Sequence, residues 1–222
     1  MTADTTESRV LAAIDERRSR INNAIDEELP LKKPERLYEA SRYLLKAGGK
    51  RLRPTVTLLA GEALADVDPA DRDYRSFPTL SGAEIDLLRA AVSLEVIQSF
   101  TLIHDDIMDD DDLRRGVPAV HNEYDTSTAI LAGDTLYSSA FEIMAETGGE
   151  PANALAAMRR LSSTCTKICE GQALDIAFES RDDLLPDEYL EMVELKTAVL
   201  YGASAAIPAA LLGADEEVVE EM

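Results

Sequence analysis

The stretch that decides the fold spans residues 83–116 and reads AEIDLLRAAVSLEVIQSFTLIHDDIMDDDDLRRG. Its apolar residues recur at helical spacing from Leu87 to Ile103, which predicts one long helix over residues 83–109. Six carboxylates crowd into the eight residues that begin at Asp105, where negative charge opposes the dipole of the ending helix. A folded chain tolerates this repulsion when a cation lies among the carboxylates. The run therefore indicates a functional site.

Helical spacing also marks the segments on either side. Further helices are predicted over residues 8–28, from Pro34 to a stop at Gly48-Gly49, from Pro54 through residue 60, and over residues 125–146, 151–178 and 186–212. No strand-like alternation stands out, and the loop over residues 66–81 is the best candidate for a linker. Because composition does not change across that loop, we expect one all-α domain over residues 1–222, an antiparallel helical bundle.

The composition limits the possible partners. The net charge is −21, and no nucleic-acid partner is expected, because phosphate backbones require a basic surface. Neither a signal peptide nor a stretch of about 18 uncharged apolar residues is found, so we expect no stable membrane insertion and a cytoplasmic location. Only six lysines accompany sixteen arginines. This acidic, lysine-poor composition favours a halophilic protein, and an ordinary acidic cytosolic protein is the alternative.

Two cysteines, Cys165 and Cys169, are predicted on one face of a helix because they lie four residues apart. A redox pair or half of a metal site is one interpretation, but no further Cys or suitably placed His completes it. Reduced, buried thiols are the favoured interpretation.

The acidic run contains a candidate Mg²⁺ site. Asp105 and Asp109 lie one helical turn apart, so their carboxylates are predicted on one face, with Asp106 roughly a quarter-turn away. Mg²⁺ is commonly held by one or two carboxylates together with phosphate oxygens, so this pair is suited to holding Mg²⁺ against a diphosphate. The alternative is a solvated acidic helix end. A calcium loop is excluded, because an EF-hand frame places Ile107 or Leu113 at a ligand position.

Basic residues both precede and follow this predicted helix in the sequence. Arg114 and Arg115 could neutralise the acidic run, or they could bind two separate anions, because successive side chains point in different directions. A second cluster reads Gly48-Gly49-Lys50-Arg51-Leu52-Arg53-Pro54. Its glycines let a ligand approach the backbone, and Lys50 and Arg53 provide cationic donors. A helix–helix turn with surface charges is the alternative for this cluster.

Taken together, these motifs resemble those of the trans-isoprenyl diphosphate synthases. The first aspartate-rich motif of that family, DDxxD followed after four residues by Arg-Arg-Gly, is matched from Asp105 to Gly116, and its early basic motif is matched from Gly49 to Pro54. Further agreements are Gln98, Gly133-Asp134, Gly171-Gln172, Asp175 and Lys196-Thr197. The resemblance runs from about residue 35 to the end and implies the helical bundle of the isoprenoid synthases. The archaeal short-chain enzymes that make geranylgeranyl or farnesyl diphosphate are the most similar group.

The resemblance implies a role for each matching residue. The diphosphate of isopentenyl diphosphate would be held by Lys50, Arg53, Gln98 and Arg115. Mg²⁺ would be bound by Asp105 and Asp109 with Asp106 nearby, and the allylic diphosphate would contact Arg114, Lys196 and Thr197. The catalytic residues would be Asp105, Asp109 and Lys196, since Mg²⁺ and cationic side chains stabilise the departing diphosphate and leave an allylic carbocation. The isopentenyl double bond would attack that cation. The family also implies a homodimer.

The same resemblance implies that product length is set just before the aspartate-rich motif. Phe100, five positions before Asp105, would form the floor of the tunnel for the growing chain, and the small Thr101 would leave room beside it. This pattern resembles the geranylgeranyl type, with the farnesyl type second. A plain core aromatic remains the alternative for Phe100.

The family's second aspartate-rich motif is not found between Asp215 and Met222. The sequence therefore predicts a C-terminally truncated bundle, without the late helices and with little or no activity. Three function classes follow: a prenyltransferase, a noncatalytic diphosphate-binding subunit or relic, and a class I terpene cyclase. The basic residues Lys50 and Arg53 argue against the cyclase, because cyclases bind no isopentenyl diphosphate.

Overall fold

The computed structural model describes residues 6–65, 67 and 72–222, and it confirms the expected all-α fold. A short π-helical segment, Glu194–Ala198, lies between the eighth and ninth helices. In chain order the α-helices of the described residues are α1 (Thr6–Glu28), α2 (Glu35–Lys46), α3 (Leu52–Ala65), α4 (Leu87–Met108), α5 (Val120–Glu123), α6 (Thr126–Ala145), α7 (Pro151–Phe178), α8 (Pro186–Val193), α9 (Val199–Leu212) and α10 (Glu216–Glu221).

Two small antiparallel hairpins correct the prediction that no strand is present. The strands are β1 (Phe77–Pro78), β2 (Glu84–Ile85), β3 (Leu113–Arg114) and β4 (Val117–Pro118). The predicted helix start at residue 83 is wrong, because Ile85 pairs with Phe77 and the Asp86 side chain then caps α4. The start predicted at Pro54 is two residues too late, because α3 begins at Leu52. Strands of two residues carry too little alternation to be read from sequence.

Helix α4 is the central helix of the fold. It packs against α1, α3, α6 and α9, and from Leu87 to Ile97 every residue except Arg89 is buried. The Ser93 hydroxyl donates to the carbonyl of Ala140 on α6 at 2.8 Å, so this buried polar group has a partner. A helix that is apolar on nearly all sides belongs to a core. The acidic run therefore lies at the end of a helix that is buried along most of its length.

The segment over residues 186–212, predicted as one helix, is interrupted by the π-helical segment. Lys196 and Thr197 lie in that segment. Single π-helical turns are rare and are often found at functional sites. The interruption thus coincides with two residues that the sequence predicts to contact a substrate.

The loop predicted as a linker, residues 66–81, is packed into the core where the structure describes it. Residues 66 and 68–71 lie outside the described part. Tyr74 and Phe77 are fully buried, and the Tyr74 carbonyl accepts a hydrogen bond from the Leu87 N–H at 2.7 Å. This part of the segment therefore closes over the start of α4.

Two helical stretches of the described chain are long and apolar enough to cross a membrane by length and composition alone, Leu87–Met108 and Pro186–Leu212. Within the fold, 67% and 56% of their most apolar windows are buried. Core helices of globular proteins pass the same criterion, and burial is what distinguishes them.

The prediction for the cysteines is half wrong. Cys165 is buried, and burial raises the pKa of its thiol to about 12. Cys169 is exposed, because it lies at an open cavity between α4 and α7.

Candidate active site

The four residues predicted to hold one diphosphate line a single cavity, which we call the basic cavity. Its volume is about 210 Å³. The lining comprises Lys50, Arg51, Leu52, Arg53, Glu95, Gln98, Leu102, Arg115 and Tyr201. Four of these side chains are cationic and one is anionic, so the cavity has an excess of positive charge suited to an anion.

The three arginines of the basic cavity have different partners. Arg51 is only 3% exposed and forms a 2.5 Å ion pair with the buried Glu95. Arg115 lies 3.6 Å from the same carboxylate and donates to the carbonyl of Leu44 at 2.9 Å. Arg53 has no ion pair within the described residues, and its buried Nε has no hydrogen-bond partner. Its charge is therefore the one least compensated by protein groups.

Burial disfavours the positive charge of two arginines in the basic cavity. It lowers the pKa of Arg53 below the ordinary value, and it lowers the pKa of Arg115 as well, with the neighbouring Arg51 adding to that effect. Both guanidinium groups nevertheless keep their positive charge, because arginine is not deprotonated in proteins. An anionic ligand would relieve the uncompensated charge.

The backbone before the basic cavity is shaped by Gly49. Its φ of +151° lies in a region that L side chains rarely adopt. A Cβ atom there would come within 3.2 Å of the Arg115 guanidinium carbon and 3.1 Å of Arg51 Nη1. The glycine therefore lets both arginines lie against the backbone.

The acidic end of α4 faces α7 and the π-helical segment. Lys196 Nζ lies 3.5 Å from Asp105 Oδ2 and 2.5 Å from Asp175 Oδ2, and Gln172 Nε2 donates to Asp109 Oδ1 at 3.3 Å. We call this set the acidic cluster. It brings together the two carboxylates predicted to bind Mg²⁺ and the lysine predicted to contact the allylic diphosphate.

Charges in the acidic cluster are shifted by burial and by one another. Burial raises the pKa of Asp105, and Lys196 opposes that rise. Burial also opposes the charge of Lys196, but the hydrogen bond to Asp175 and the Asp105 carboxylate outweigh it, so the pKa of Lys196 is raised. The lysine is thus held in its charged form beside the carboxylate pair.

Asp106 and Arg114 form a separate pair. Asp106 is fully buried, and Arg114 Nε donates to its Oδ1 at 2.7 Å while Nη2 donates to Asp111 at 2.8 Å. The other oxygen of Asp106 is buried without a partner. Burial raises the pKa of Asp106 although Arg114 opposes the rise. As predicted, Arg114 and Arg115 diverge, but two donors of Arg114 neutralise the acidic run.

Gly171 fixes the distance between α7 and the π-helical segment. A Cβ at Gly171 would lie 2.3 Å from the backbone nitrogen of Lys196 and 2.7 Å from its Cα. Only glycine lets these two backbones approach so closely. The position of Lys196 beside Asp105 therefore depends on the absence of a side chain at residue 171.

A second cavity, of about 320 Å³, begins at the acidic cluster and runs between α4 and α7. We call it the apolar cavity. Its lining comprises Phe100, Thr101, His104, Asp105, Met108, Ile168, Cys169, Gln172, Ala173 and Ile176. Phe100 also contacts the rings of His104 and Tyr137, with centroids 4.9 and 5.1 Å apart. Phe100 is therefore both a packed aromatic and a wall of the cavity.

The structure brings most of the predicted site residues together. Thr197 is the exception, because it is exposed and contributes to neither cavity as described. Sequence reasoning did not single out Arg51, Glu95 or Tyr201 as site residues. The spacing of Glu95 and Gln98, three residues apart on one helix, was a signal that could have placed Glu95 on the same face.

The residues of the acidic cluster fit Mg²⁺ only in part. The described residues contain no group of three or more His, Cys, Asp or Glu side chains arranged to hold a metal ion. They do offer the hard oxygens of Asp105 and Asp109, and Mg²⁺ commonly uses one or two carboxylates and completes its shell with water and phosphate oxygens. The donor set therefore fits Mg²⁺ bound together with a phosphate ligand.

Comparison with known proteins agrees with this geometry. Residues 34–222 match the polyprenyl synthetase family. The chain is 66% identical over 218 residues to a geranylfarnesyl diphosphate synthase of Natronomonas pharaonis, and 54% identical over 209 residues to a geranylgeranyl diphosphate synthase of Methanosarcina mazei. These alignments cover 98% and 94% of this chain, and 64% and 60% of the two relatives. The chain thus spans less than two thirds of the length of either relative.

Solved structures give the same similarity. A geranylgeranyl pyrophosphate synthetase of Geoglobus acetivorans superposes with a TM-score of 0.83 at 48% identity, over 93% of this chain and 62% of that one. A geranylgeranyl pyrophosphate synthetase of Pyrococcus horikoshii gives a TM-score of 0.84 at 36% identity, over 97% and 61% of the two chains. The predicted isoprenoid synthase type of bundle is confirmed by these superpositions.

Proposed function

The chain belongs to the polyprenyl synthetase family, and we propose that it acts as a trans-prenyltransferase that joins isopentenyl diphosphate to an allylic diphosphate. The observation that carries the proposal is the division of α4 between two cavities. Gln98 and Leu102 line the basic cavity, whereas Thr101 and Asp105 line the apolar cavity. One helix thus separates a diphosphate site with cationic walls from a site that combines carboxylates with an apolar channel.

In the proposed reaction, the basic cavity binds isopentenyl diphosphate through Lys50, Arg53 and Arg115. The allylic diphosphate lies at the acidic cluster, where Lys196 donates to its departing oxygens and its prenyl chain extends along Phe100. Departure of the diphosphate leaves an allylic cation, the isopentenyl double bond attacks it, and loss of a proton completes the step. The apolar walls exclude water that would quench the cation.

Asp105 and Asp109 would hold Mg²⁺ in this scheme, and bound Mg²⁺ supplies positive charge to the departing diphosphate. Gln172 orients Asp109 through its 3.3 Å hydrogen bond. Asp106 acts differently, since it holds Arg114 in place from a fully buried position.

The product and the assembly are also proposals. Geranylgeranyl diphosphate is the proposed product, with farnesyl diphosphate second, because the ring of Phe100 limits the apolar cavity while Thr101 leaves room. We further propose a homodimer in the cytoplasm. The basic cavity favours the prenyltransferase over a terpene cyclase, which has no use for an isopentenyl diphosphate site.

The test measures binding and turnover separately. Isothermal titration of the purified chain should detect isopentenyl diphosphate binding that Arg53→Ala abolishes, and farnesyl diphosphate binding that requires Mg²⁺ and that Asp105→Asn weakens. Arg159→Ala, which removes an exposed arginine on α7, is the matched control and should bind both ligands normally. Mass spectrometry of mixtures with both substrates and Mg²⁺ tests the expectation of little or no activity, which robust formation of the elongated product would contradict. Failure of the chain to bind either diphosphate would overturn the proposal.

A further inference from the structure

Arg53 differs from the other arginines of the basic cavity in what holds its guanidinium group. Arg51 and Arg115 are fixed by Glu95 and by main-chain carbonyls. The guanidinium carbon of Arg53 lies 4.2 Å from the centroid of the Tyr201 ring. Within the described residues Arg53 forms no ion pair, and its guanidinium group lies against this ring.

Tyr201 lies at the basic cavity and not in the core of the fold. It lines the basic cavity, and 37% of its surface is exposed, so it is not a core aromatic. A ring face attracts a cation through its quadrupole, most strongly when the pair is partly desolvated. Stacking on the ring also leaves the edges of the guanidinium group free to donate to an anion.

We propose that Tyr201 is a positioning residue that holds Arg53 flat against its ring, with the N–H groups directed into the basic cavity, and so sets the affinity for isopentenyl diphosphate. The inference rests on the proposed function. Without the ring, the long Arg53 side chain would have to lose rotamer freedom when the diphosphate binds. The Tyr201 ring orders the Arg53 side chain already in the free protein, so binding loses less conformational entropy.

The position of Tyr201 along the chain extends this role. It follows Lys196 by five residues, on α9 directly after the π-helical segment. One continuous element therefore contacts Arg53 at the basic cavity and Asp105 at the acidic cluster. This element therefore fixes the position of the two diphosphate sites relative to each other.

The test compares three variants by isothermal titration with isopentenyl diphosphate and, separately, with farnesyl diphosphate and Mg²⁺. Tyr201→Leu should weaken isopentenyl diphosphate binding by about fivefold to twentyfold, the range that loss of a partly desolvated cation–π contact gives. Tyr201→Phe keeps the ring and should restore binding to within about twofold of the unchanged chain. Tyr189→Leu, which removes an exposed tyrosine from α8, is the matched control and should change neither affinity.

Several results would overturn the inference. Equal affinity of Tyr201→Leu and the unchanged chain for isopentenyl diphosphate would show that the ring does not contribute to binding. A loss of affinity in Tyr201→Phe as large as in Tyr201→Leu would assign the effect to the hydroxyl. An equal loss of farnesyl diphosphate binding would indicate a general structural defect. Absence of isopentenyl diphosphate binding in the unchanged chain would overturn the proposed function itself, and the inference with it.

A double-mutant cycle covers the case in which Tyr201→Leu is unstable. Arg53→Lys keeps the charge but loses the flat group that stacks on the ring. It should weaken binding by itself, and Tyr201→Met, which keeps an apolar side chain of similar length but has no ring, should weaken binding in the unchanged chain yet change little further in that background. Independent, additive losses would show that the two side chains do not act as a pair.

Discussion

At the scale of single residues, the site depends on side chains that are absent as much as on those present. Gly171 has no Cβ, and this permits the backbone of Lys196 to lie against α7. Gly133 similarly leaves room for the ring of His104, whose Nε2 would lie 2.3 Å from a Cβ there. Both glycines occur in short motifs that the sequence already marked, but the reason for them is visible only in the packing.

Gly171→Ala should therefore displace the π-helical segment. We expect a loss of about 1–3 kcal/mol in the free energy of unfolding, because the new methyl group meets backbone atoms that cannot rotate away. Farnesyl diphosphate binding should weaken roughly tenfold as Lys196 moves from Asp105. Chemical denaturation and titration calorimetry measure the two effects.

The control for this substitution is Gly202→Ala on the neighbouring helix α9. A Cβ at Gly202 would meet no atom within 4 Å. Replacing an unstrained helical glycine should stabilise the protein by about 0.5–1 kcal/mol. Similar behaviour of both variants would show that the close contact at residue 171 is not rigid.

Phe100→Ala tests the predicted floor of the apolar cavity. Removing the ring should extend the cavity and shift the products, or the best-bound prenyl diphosphate, toward longer chains. The control is Phe141→Ala, which removes a ring that contacts Tyr137 edge-to-face, with ring centroids 5.1 Å apart, but does not line the cavity. Both variants should be less stable by roughly 3–5 kcal/mol at most, since both rings are packed, yet only the first should alter chain length. An unchanged product or ligand chain length in Phe100→Ala would show that the Phe100 ring is a core aromatic that does not limit the chain.

At the scale of secondary-structure elements, sequence periodicity located long helices well and short elements poorly. The 3.6-residue period of α4 repeats many times, so its existence was predictable, and Asp105 and Asp109 were correctly expected one turn apart. The hairpin at Phe77 offers two residues per strand and no usable period. The π-helical turn at Lys196 was not predicted either; its backbone lies against Gly171, a contact between distant residues that local helical periodicity does not reveal.

Contacts between distant elements account for the remaining misses. Arg51 and Glu95 lie 44 residues apart, and Arg53 and Tyr201 are farther still. Spacing within a helix gives no information on which helices meet, so only the family resemblance connected Lys50 and Arg53 with Gln98 and Arg115. Tyr201 matched no motif, so nothing in the sequence indicated the role proposed for it.

The segment that contains Tyr74 shows the same limit and offers a pH test. The Tyr74 hydroxyl donates to the Glu62 carboxylate, and burial together with that hydrogen bond raises the pKa of Tyr74 to about 12. The folded state therefore favours the neutral phenol. This stability is fully present below the ordinary tyrosine pKa of 10 and is lost as the pH rises through the folded value.

Between pH 10 and 12, the free energy of unfolding should accordingly fall, by up to about 2–3 kcal/mol from this group. Tyr74→Phe cannot ionise, so its stability should decline less steeply over the same range, although it starts lower through loss of the hydroxyl contacts. Urea denaturation at a series of pH values gives both slopes. Parallel slopes would show that the Tyr74 phenol does not remain neutral in the folded protein.

At the scale of the whole molecule, electrostatic repulsion is the dominant feature. The net charge is −21, and the ion pairs of the described residues leave many carboxylates on the surface without a cationic partner. Repulsion among exposed charges reaches about 10 Å at 0.1 M salt and about 3 Å at 1 M. The similarity to a Natronomonas pharaonis protein agrees with the halophilic interpretation.

The midpoint of thermal unfolding should therefore rise steeply with KCl, because screening reduces repulsion in the folded state more than in the expanded unfolded state. Exclusion of solutes from the surface also stabilises proteins, so sucrose at matched osmolality is the control and should give a smaller rise. A variant with Glu142→Gln and Glu170→Gln removes two exposed carboxylates that form no ion pair recorded in the described structure, and it should unfold at a higher temperature in low salt. The difference between this variant and the unchanged chain should vanish near 3 M KCl, where Debye screening is nearly complete. A salt response equal to that of sucrose, with no effect of the two substitutions, would mean that repulsion among surface carboxylates does not limit the stability of this fold.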